Sequence, residues 1–147
     1  MKKQIIPVIV SLFITCSFTG TTSMAASNSY QDTMYTYTYK KGDYQDTAGR
    51  YKKYSGSDTP HGYAYAICGN GNPSSVKLMA LSSTSTQLFK CCDYVTIPYL
   101  VHTNIRNTFN ANKYKYAVLR VRDNTNKGST GGSWSPDSSK KYNHIVG

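Results

Sequence analysis

Apolar and polar residues alternate along this chain with a period of two, and the clearest run lies towards its end. Between Asn112 and Asp123, Ala117, Leu119 and Val121 fall on one side, while Tyr116, Val118, Arg120 and Arg122 fall on the other. Successive side chains of an extended backbone point to opposite faces, so the run predicts a half-buried strand with an Arg-tipped outer face. The same reading predicts a first strand over 34–39, with Tyr35, Tyr37 and Tyr39 inward against Thr36 and Thr38. Arg50 to Tyr54 reads as a short second strand with a basic outer face. From His61 to Cys68, Tyr63, Tyr65 and Ile67 alternate with Ala64, Ala66 and Cys68, and then Val76, Leu78 and Ala80 alternate with Lys77 and Met79. Between these two runs, Gly69-Asn70-Gly71-Asn72-Pro73 is the strongest turn signal in the chain and predicts that they pair as antiparallel neighbours. Weaker strand candidates follow at 87–92, 94–101, 104–109 and 140–146, with Pro98 placing the second of them at an edge or a bulge.

Seven to nine short strands, with turn signals about every ten residues and no apolar repeat at helical spacing, predict an all-β fold. The expected architecture is an antiparallel β-sandwich of immunoglobulin-like type, with a small barrel as the alternative. Composition supports it. The chain holds 14 Tyr, its seven acidic residues are all Asp, and Ser and Thr abound, a mixture that favours strands and turns over helix. Ile, Leu, Val and Phe make up only about 14% of residues 26–147, so tyrosine rings must supply much of the buried apolar area. A small core with loose edges is expected.

The start of the chain carries a different pattern. Met1-Lys2-Lys3 is followed by an apolar stretch from Ile5 to Phe18, interrupted by Pro7, and then by the small residues Ser23 and Ala25. This is the layout of an export signal cut after Ala25, leaving one secreted domain over 26–147 with residues 26–32 frayed. The apolar stretch is short and broken for a membrane span. Lipid attachment at Cys16 is the alternative, but Thr15 stands where a small residue is expected. Loss of Lys2 and Lys3 takes the net charge from +10 to +8. Cys68, Cys91 and Cys92 remain, an odd number for an exported protein. One bridge is expected, Cys68 with either Cys91 or Cys92, closing a loop of roughly 23 residues for about 3 kcal/mol in the chain-entropy model. No second Cys pair or spaced His pair accompanies them, so neither metal nor cofactor is expected.

Candidate chemistry is thin. His61, His102 and His144 would serve general acid–base cleavage only if two of them converged, and their positions do not imply it. No Ser stands in a nucleophile motif, Asp93 and Asp123 do not suggest a glycosidase pair, and Gly128-Ser129-Thr130-Gly131-Gly132 lacks the Lys of a phosphate loop. The chain therefore reads as non-enzymatic. Its basic residues carry more information. Arg50, Lys52, Lys53, Lys113, Lys115, Arg120 and Arg122, with Lys140 and Lys141, lie among tyrosines and form a candidate patch for an anionic surface. The partners that fit are an anionic cell-wall polymer, a membrane surface or an extracellular protein; nucleic acid is less favoured. The competing reading is that these cations blunt sheet edges and rest on tyrosine rings with no ligand involved. Trp134, after Gly131-Gly132, is either a packing residue or an exposed aromatic anchor. The phrase Tyr-Gln-Asp-Thr occurs at 30–33 and again at 44–47, and reads as two Asp-capped turns or, alternatively, as a shared ligand-binding element. The oligomeric state is open.

Two resemblances follow from these residues. Tyr116-Ala117-Val118-Leu119-Arg120-Val121-Arg122 and Gly132-Ser133-Trp134-Ser135-Pro136 resemble the last hairpin of a fibronectin type III or immunoglobulin-like sandwich, without the early Trp of such domains. Gly49-Arg50-Tyr51-Lys52 and Gly132-Ser133-Trp134, behind an export signal, resemble an uncharacterised family of small secreted proteins of Gram-positive bacteria. Cys91-Cys92 and the lack of Glu depart from that family, which implies export and no particular activity. In size, charge and export the chain is also similar to bacteriocins that act folded and unmodified, so an antibacterial toxin is the alternative function.

Overall fold

The run at 116–123 makes the longest pairing in the molecule, matched residue for residue from Tyr116 opposite Leu81 to Asp123 opposite Ser74. The computed structural model describes residues 29–38, 44–82, 84, 86–123, 125 and 128–147. The export segment, Cys16, the cut after Ala25 and Tyr39 lie outside them. In chain order the strands are β1 (Thr33–Thr38), β2 (Gln45–Asp46), β3 (Arg50–Tyr51), β4 (Ala64–Gly71), β5 (Ser74–Leu81), β6 (Leu88–Lys90), β7 (Val95–Ile97), β8 (Thr103–Ile105), β9 (Tyr116–Asp123), β10 (Ser129–Ser135) and β11 (His144–Val146). Among the described residues there is no helix.

The strands form two sheets, and the fold is all-β and sandwich-like. The first runs β1-β10-β4-β8-β11, antiparallel except for the parallel pair of β8 and β11. The second is centred on β9 and β5; β2 and β3 line the outer edge of β9, and β6 and β7 line the outer edge of β5. Among the described residues there are eleven strands, more than the expected seven to nine, in part because 45–46, read as a turn, is strand β2.

The core takes Tyr35, Tyr37, Ala66, Cys68, Ile105 and Trp134 from the first sheet and Val76, Leu78, Ala80, Ile97, Ala117, Leu119 and Val121 from the second. Tyrosine does stand in for aliphatic side chains here, and it can because its hydroxyl is satisfied. Tyr35 Oη hydrogen-bonds Ser74 Oγ at 2.8 Å, and Ser74 Oγ continues to Thr130 Oγ1 at 2.6 Å. Burying the ring without such a partner would cost about 1–3 kcal/mol. Gly132 sits where β10 bulges against β4, and a Cβ there would strike the Ile67 carbonyl.

Two connections differ from their sequence reading. The turn around Gly71, whose φ is +69°, is a real turn, but it carries the chain from β4 in the first sheet to β5 in the second. It is a corner and not a hairpin. The same holds for β9 and β10, which lie in different sheets, so 114–138 does not form the closing hairpin that the fibronectin resemblance implied. Local turn chemistry sets the reversal of the chain, not the sheet the next strand joins. The start of the described chain is also anchored. Ser29 is buried, and its carbonyl accepts the Asp137 N–H at 3.2 Å.

Candidate anion-binding face

Because Ala117, Leu119 and Val121 face the core from β9, and Val76, Leu78 and Ala80 face it from β5, the residues between them share the outer face of the second sheet. Lys77 stands opposite Arg120, and Ser75 opposite Arg122. On the other side of β9, Asp46 stands opposite Arg120. Three cations are thereby gathered by strand register alone.

Tyrosine rings set them in place. The Arg120 guanidinium lies 3.7 Å from the centre of the Tyr44 ring, and that of Arg122 lies 4.0 Å from the centre of Tyr94. Lys77 Nζ approaches the same Tyr94 ring at 4.9 Å. Such contacts contribute about 0.5–1 kcal/mol each at exposed sites and restrict the cation's freedom. Arg120 is also held by Asp46 through two parallel bonds, Nε to Oδ1 at 2.7 Å and Nη2 to Oδ2 at 2.8 Å. Hydrogen bonding to Asp46 raises the guanidinium further above its ordinary pKa. Arg122 Nε reaches Ser75 Oγ at 3.4 Å, and neither Arg122 nor Lys77 forms an ion pair among the described residues. Burial raises the Tyr94 hydroxyl pKa, against a smaller lowering by Arg122.

The other basic residues singled out from the sequence scatter. Arg50 donates to the Gln31 carbonyl at 3.1 Å, and Lys53 rests on Tyr54 at 5.2 Å. Lys113 rests on Tyr114 and Phe89 at 5.3 and 5.9 Å, and Phe89 is paired with Ala80 at the far end of β5. Lys115 is exposed, and its carbonyl accepts the Lys52 N–H at 2.9 Å. Lys140 rests on Tyr142 at 4.9 Å.

Lys52 is no surface residue at all, which corrects its place in the patch. Its ammonium is fully buried and donates to Asp137 Oδ1 at 2.7 Å, to the Gly62 carbonyl at 2.8 Å and to the Pro136 carbonyl at 2.8 Å. Three donors meet three acceptors, and Asp137 Oδ2 takes the Lys53 N–H at 2.7 Å. Burial lowers the Lys52 pKa, and Asp137 pulls it part of the way back.

Three other readings are corrected. Trp134 is wholly buried, so it is a packing residue and not an exposed anchor. Cys68, Cys91 and Cys92 are all free: Cys68 belongs to the first sheet, whereas Cys91 and Cys92 follow β6 of the second. Their sulfurs have separate neighbours, Thr130 Oγ1 at 3.4 Å for Cys68 and the Leu78 N–H at 3.2 Å for Cys92. The second Tyr-Gln-Asp-Thr copy is no turn, since Asp46 pairs with Arg120 and Thr47 Oγ1 accepts the Leu119 N–H at 3.0 Å.

The histidines are drawn into aromatic and hydroxyl contacts. His61 meets Tyr30, His102 Nδ1 lies 2.7 Å from Tyr65 Oη, and His144 Nδ1 lies 3.1 Å from Thr103 Oγ1. A polar cleft of about 680 Å³ lies between 53–58 and 107–112, but Ser55, Asp58 and Asn107 spend side-chain polar groups on bonds within it. Among the described residues no cluster of His, Cys and Asp suits a metal ion. Sequence reading missed Lys77, Tyr44, Tyr94 and Asp46. The signal for Lys77 was present, as the polar position in an apolar alternation directly preceding Leu78.

Fold and site together define a small, basic, all-β sandwich with an arginine- and lysine-bearing face on one sheet. Comparison with protein families places the chain within one of them: residues 21–138 match the model of the family described as Protein of unknown function (DUF2712), and the chain belongs to that family. Comparison with curated proteins and with solved structures returned no match.

Proposed function

We propose that this chain is a secreted, non-enzymatic binding domain that holds an anionic polymer of a cell envelope on the outer face of its β9–β5 sheet. The observation that supports it is the interleaving of Lys77, Arg120 and Arg122 with Tyr44 and Tyr94, with one ion-paired carboxylate, Asp46, among them. Cations held by rings lose less freedom when an anion arrives, and a net positive charge steers polyanions to the surface. Neither Lys77 nor Arg122 is ion-paired among the described residues, which leaves charge for a partner.

The test is sedimentation with insoluble bacterial cell walls over a range of salt. Retention at low salt, release as salt rises, and loss of retention in Lys77→Gln/Arg122→Gln are expected, with Lys140→Gln/Lys141→Gln as the charge-matched control. Absence of any salt-sensitive retention overturns the reading. Inhibition of related bacteria by the purified protein, without such retention, replaces it with that of an antibacterial toxin.

A further inference from the structure

Among the described residues β1 is the one long outer strand. The other outer positions are taken by short pieces: β2 and β3 have two residues each, and β6, β7 and β11 have three. β3 carries Arg50, β6 ends on Lys90 and Pro98 follows β7. Short, charged or Pro-flanked edges resist pairing with another chain. β1 has none of these devices. Its six residues, Thr-Met-Tyr-Thr-Tyr-Thr, are uncharged, free of Gly and Pro, and mostly strong strand formers. The Tyr35 carbonyl points at β10, close to Gly131. Backbone groups alternate in direction along an antiparallel strand, so Thr33, Tyr35 and Tyr37 bond β10, and the N–H and C=O groups of Met34, Thr36 and Thr38 face away. Among the described residues these outward groups have no partner. Arg50 caps the Gln31 carbonyl at 3.1 Å, just short of the strand. A groove of about 240 Å³, lined by Met34, Tyr35 and Thr36 and by Gln45, Asp46 and Ala48, separates the edge from β2, and Met34 is 68% exposed.

We propose that this edge is covered by a second copy of the chain: two copies pair β1 to β1, antiparallel, about a twofold axis at Thr36, and their first sheets become one. That register sets Thr36 opposite Thr36 and Met34 opposite Thr38, so the outward N–H and C=O groups of all three residues are satisfied on both copies. Opposite residues share a face. Tyr35 and Tyr37 therefore stay on the core side, and the exposed Met34 gains Thr38 of the other copy as its cross-strand neighbour. Charge selects the same occupant and its direction. β1 is uncharged and Asp46 in the groove is spent on Arg120, so the contact itself is neutral. The charge of +8 expected on each chain is screened beyond about 8 Å at physiological salt. Asp32, which also faces Arg50 electrostatically, stands just before β1 in the sequence, and Lys40 and Lys41 stand just after it. An antiparallel copy sets the acidic end of each strand towards the basic end of the other; a parallel copy sets like charges together. Wall binding uses the other sheet, and the two proposals stand or fall separately.

The test is sedimentation equilibrium of the purified full-length chain across a concentration series, with amide hydrogen exchange at low and high concentration. A reversible dimer is expected. The amides of Met34, Thr36 and Thr38 should exchange more slowly in the dimer, while those of Tyr35 and Tyr37, bonded to β10, are slow in both states. Thr36→Lys and Thr36→Glu each place like charges across the axis and should weaken the dimer at least tenfold. An equimolar mixture of the two variants places opposite charges there and should restore it. Thr36 is exposed, and unaltered circular dichroism of each variant confirms the fold. A chain that stays monomeric at every concentration overturns the proposal and leaves the edge to a strand of another protein. A dimer that both variants leave intact overturns it too, as does one that both weaken and the mixture fails to restore.

Discussion

Lys52 and Arg122 both lie against aromatic rings, and they are opposites. Lys52 is sealed in, its three N–H groups meeting Gly62, Pro136 and Asp137, with the Phe109 ring 5.5 Å away. Arg122 is half-exposed and rests on Tyr94 with one long hydrogen bond. Every acceptor that Lys52 needs comes from the chain, so it joins the segment after β3 to the segment after β10 and has nothing left for a ligand. Arg122 has no carboxylate partner among the described residues, so its charge stays available. A count of basic residues treats the two alike; burial and acceptor supply separate a cation spent inside the fold from one left at the surface.

The strongest way to break this contrast is Lys52→Met. It leaves the buried Asp137 carboxylate with the Lys53 N–H and no counter-charge, and should cost about 3–5 kcal/mol in urea unfolding. A loss below about 1 kcal/mol would mean that the interior pair behaves like a surface pair. A smaller effect concerns the thiol that neighbours it electrostatically. Burial pushes Cys91 up to about 11 from its ordinary 9.0. The folded thiol then keeps its proton while the unfolded one releases it, so this contribution is full below about pH 9 and is lost as pH rises through about 11. Burial shifts Tyr35 in the same direction, so Cys91→Ala should flatten only part of the fall in stability that urea midpoints reveal across that window. The smallest effect belongs to the outer face. Arg120→Gln removes a partly exposed bidentate pair and should cost under about 1 kcal/mol, less still in high salt, where surface charges are screened. A loss as large as that of Lys52→Met would show that the outer pair is structural too.

How far the sequence reached can be judged from the same residues. β9 was legible because its alternation runs through eight residues, long enough to define both faces. Tyr35 and Tyr37 were legible for the same reason, and both are buried. Lys52 was not, because it follows a strand of only two residues, too short for a period to say which way it points. The corners after β4 and β9 were read as hairpins because their Gly and Asn residues record a reversal and nothing of the sheet beyond it. Trp134 was ambiguous beside its glycines; the bulge at Gly131 and Gly132 places it in the core. Within the site, Arg120 and Arg122 were visible, whereas Asp46 and Lys77 join them through strand register and Tyr44 and Tyr94 through ring contacts from positions just before β2 and β7, properties of pairs of distant segments.

The pairing of β1 with β10 sets Thr33 beside Trp134, so the first described strand must wait for a partner about a hundred residues further on. β1 cannot complete its pairing until the residues of β10 are present. Closure of so long a loop places assembly in the slow regime of milliseconds to seconds typical of β topologies.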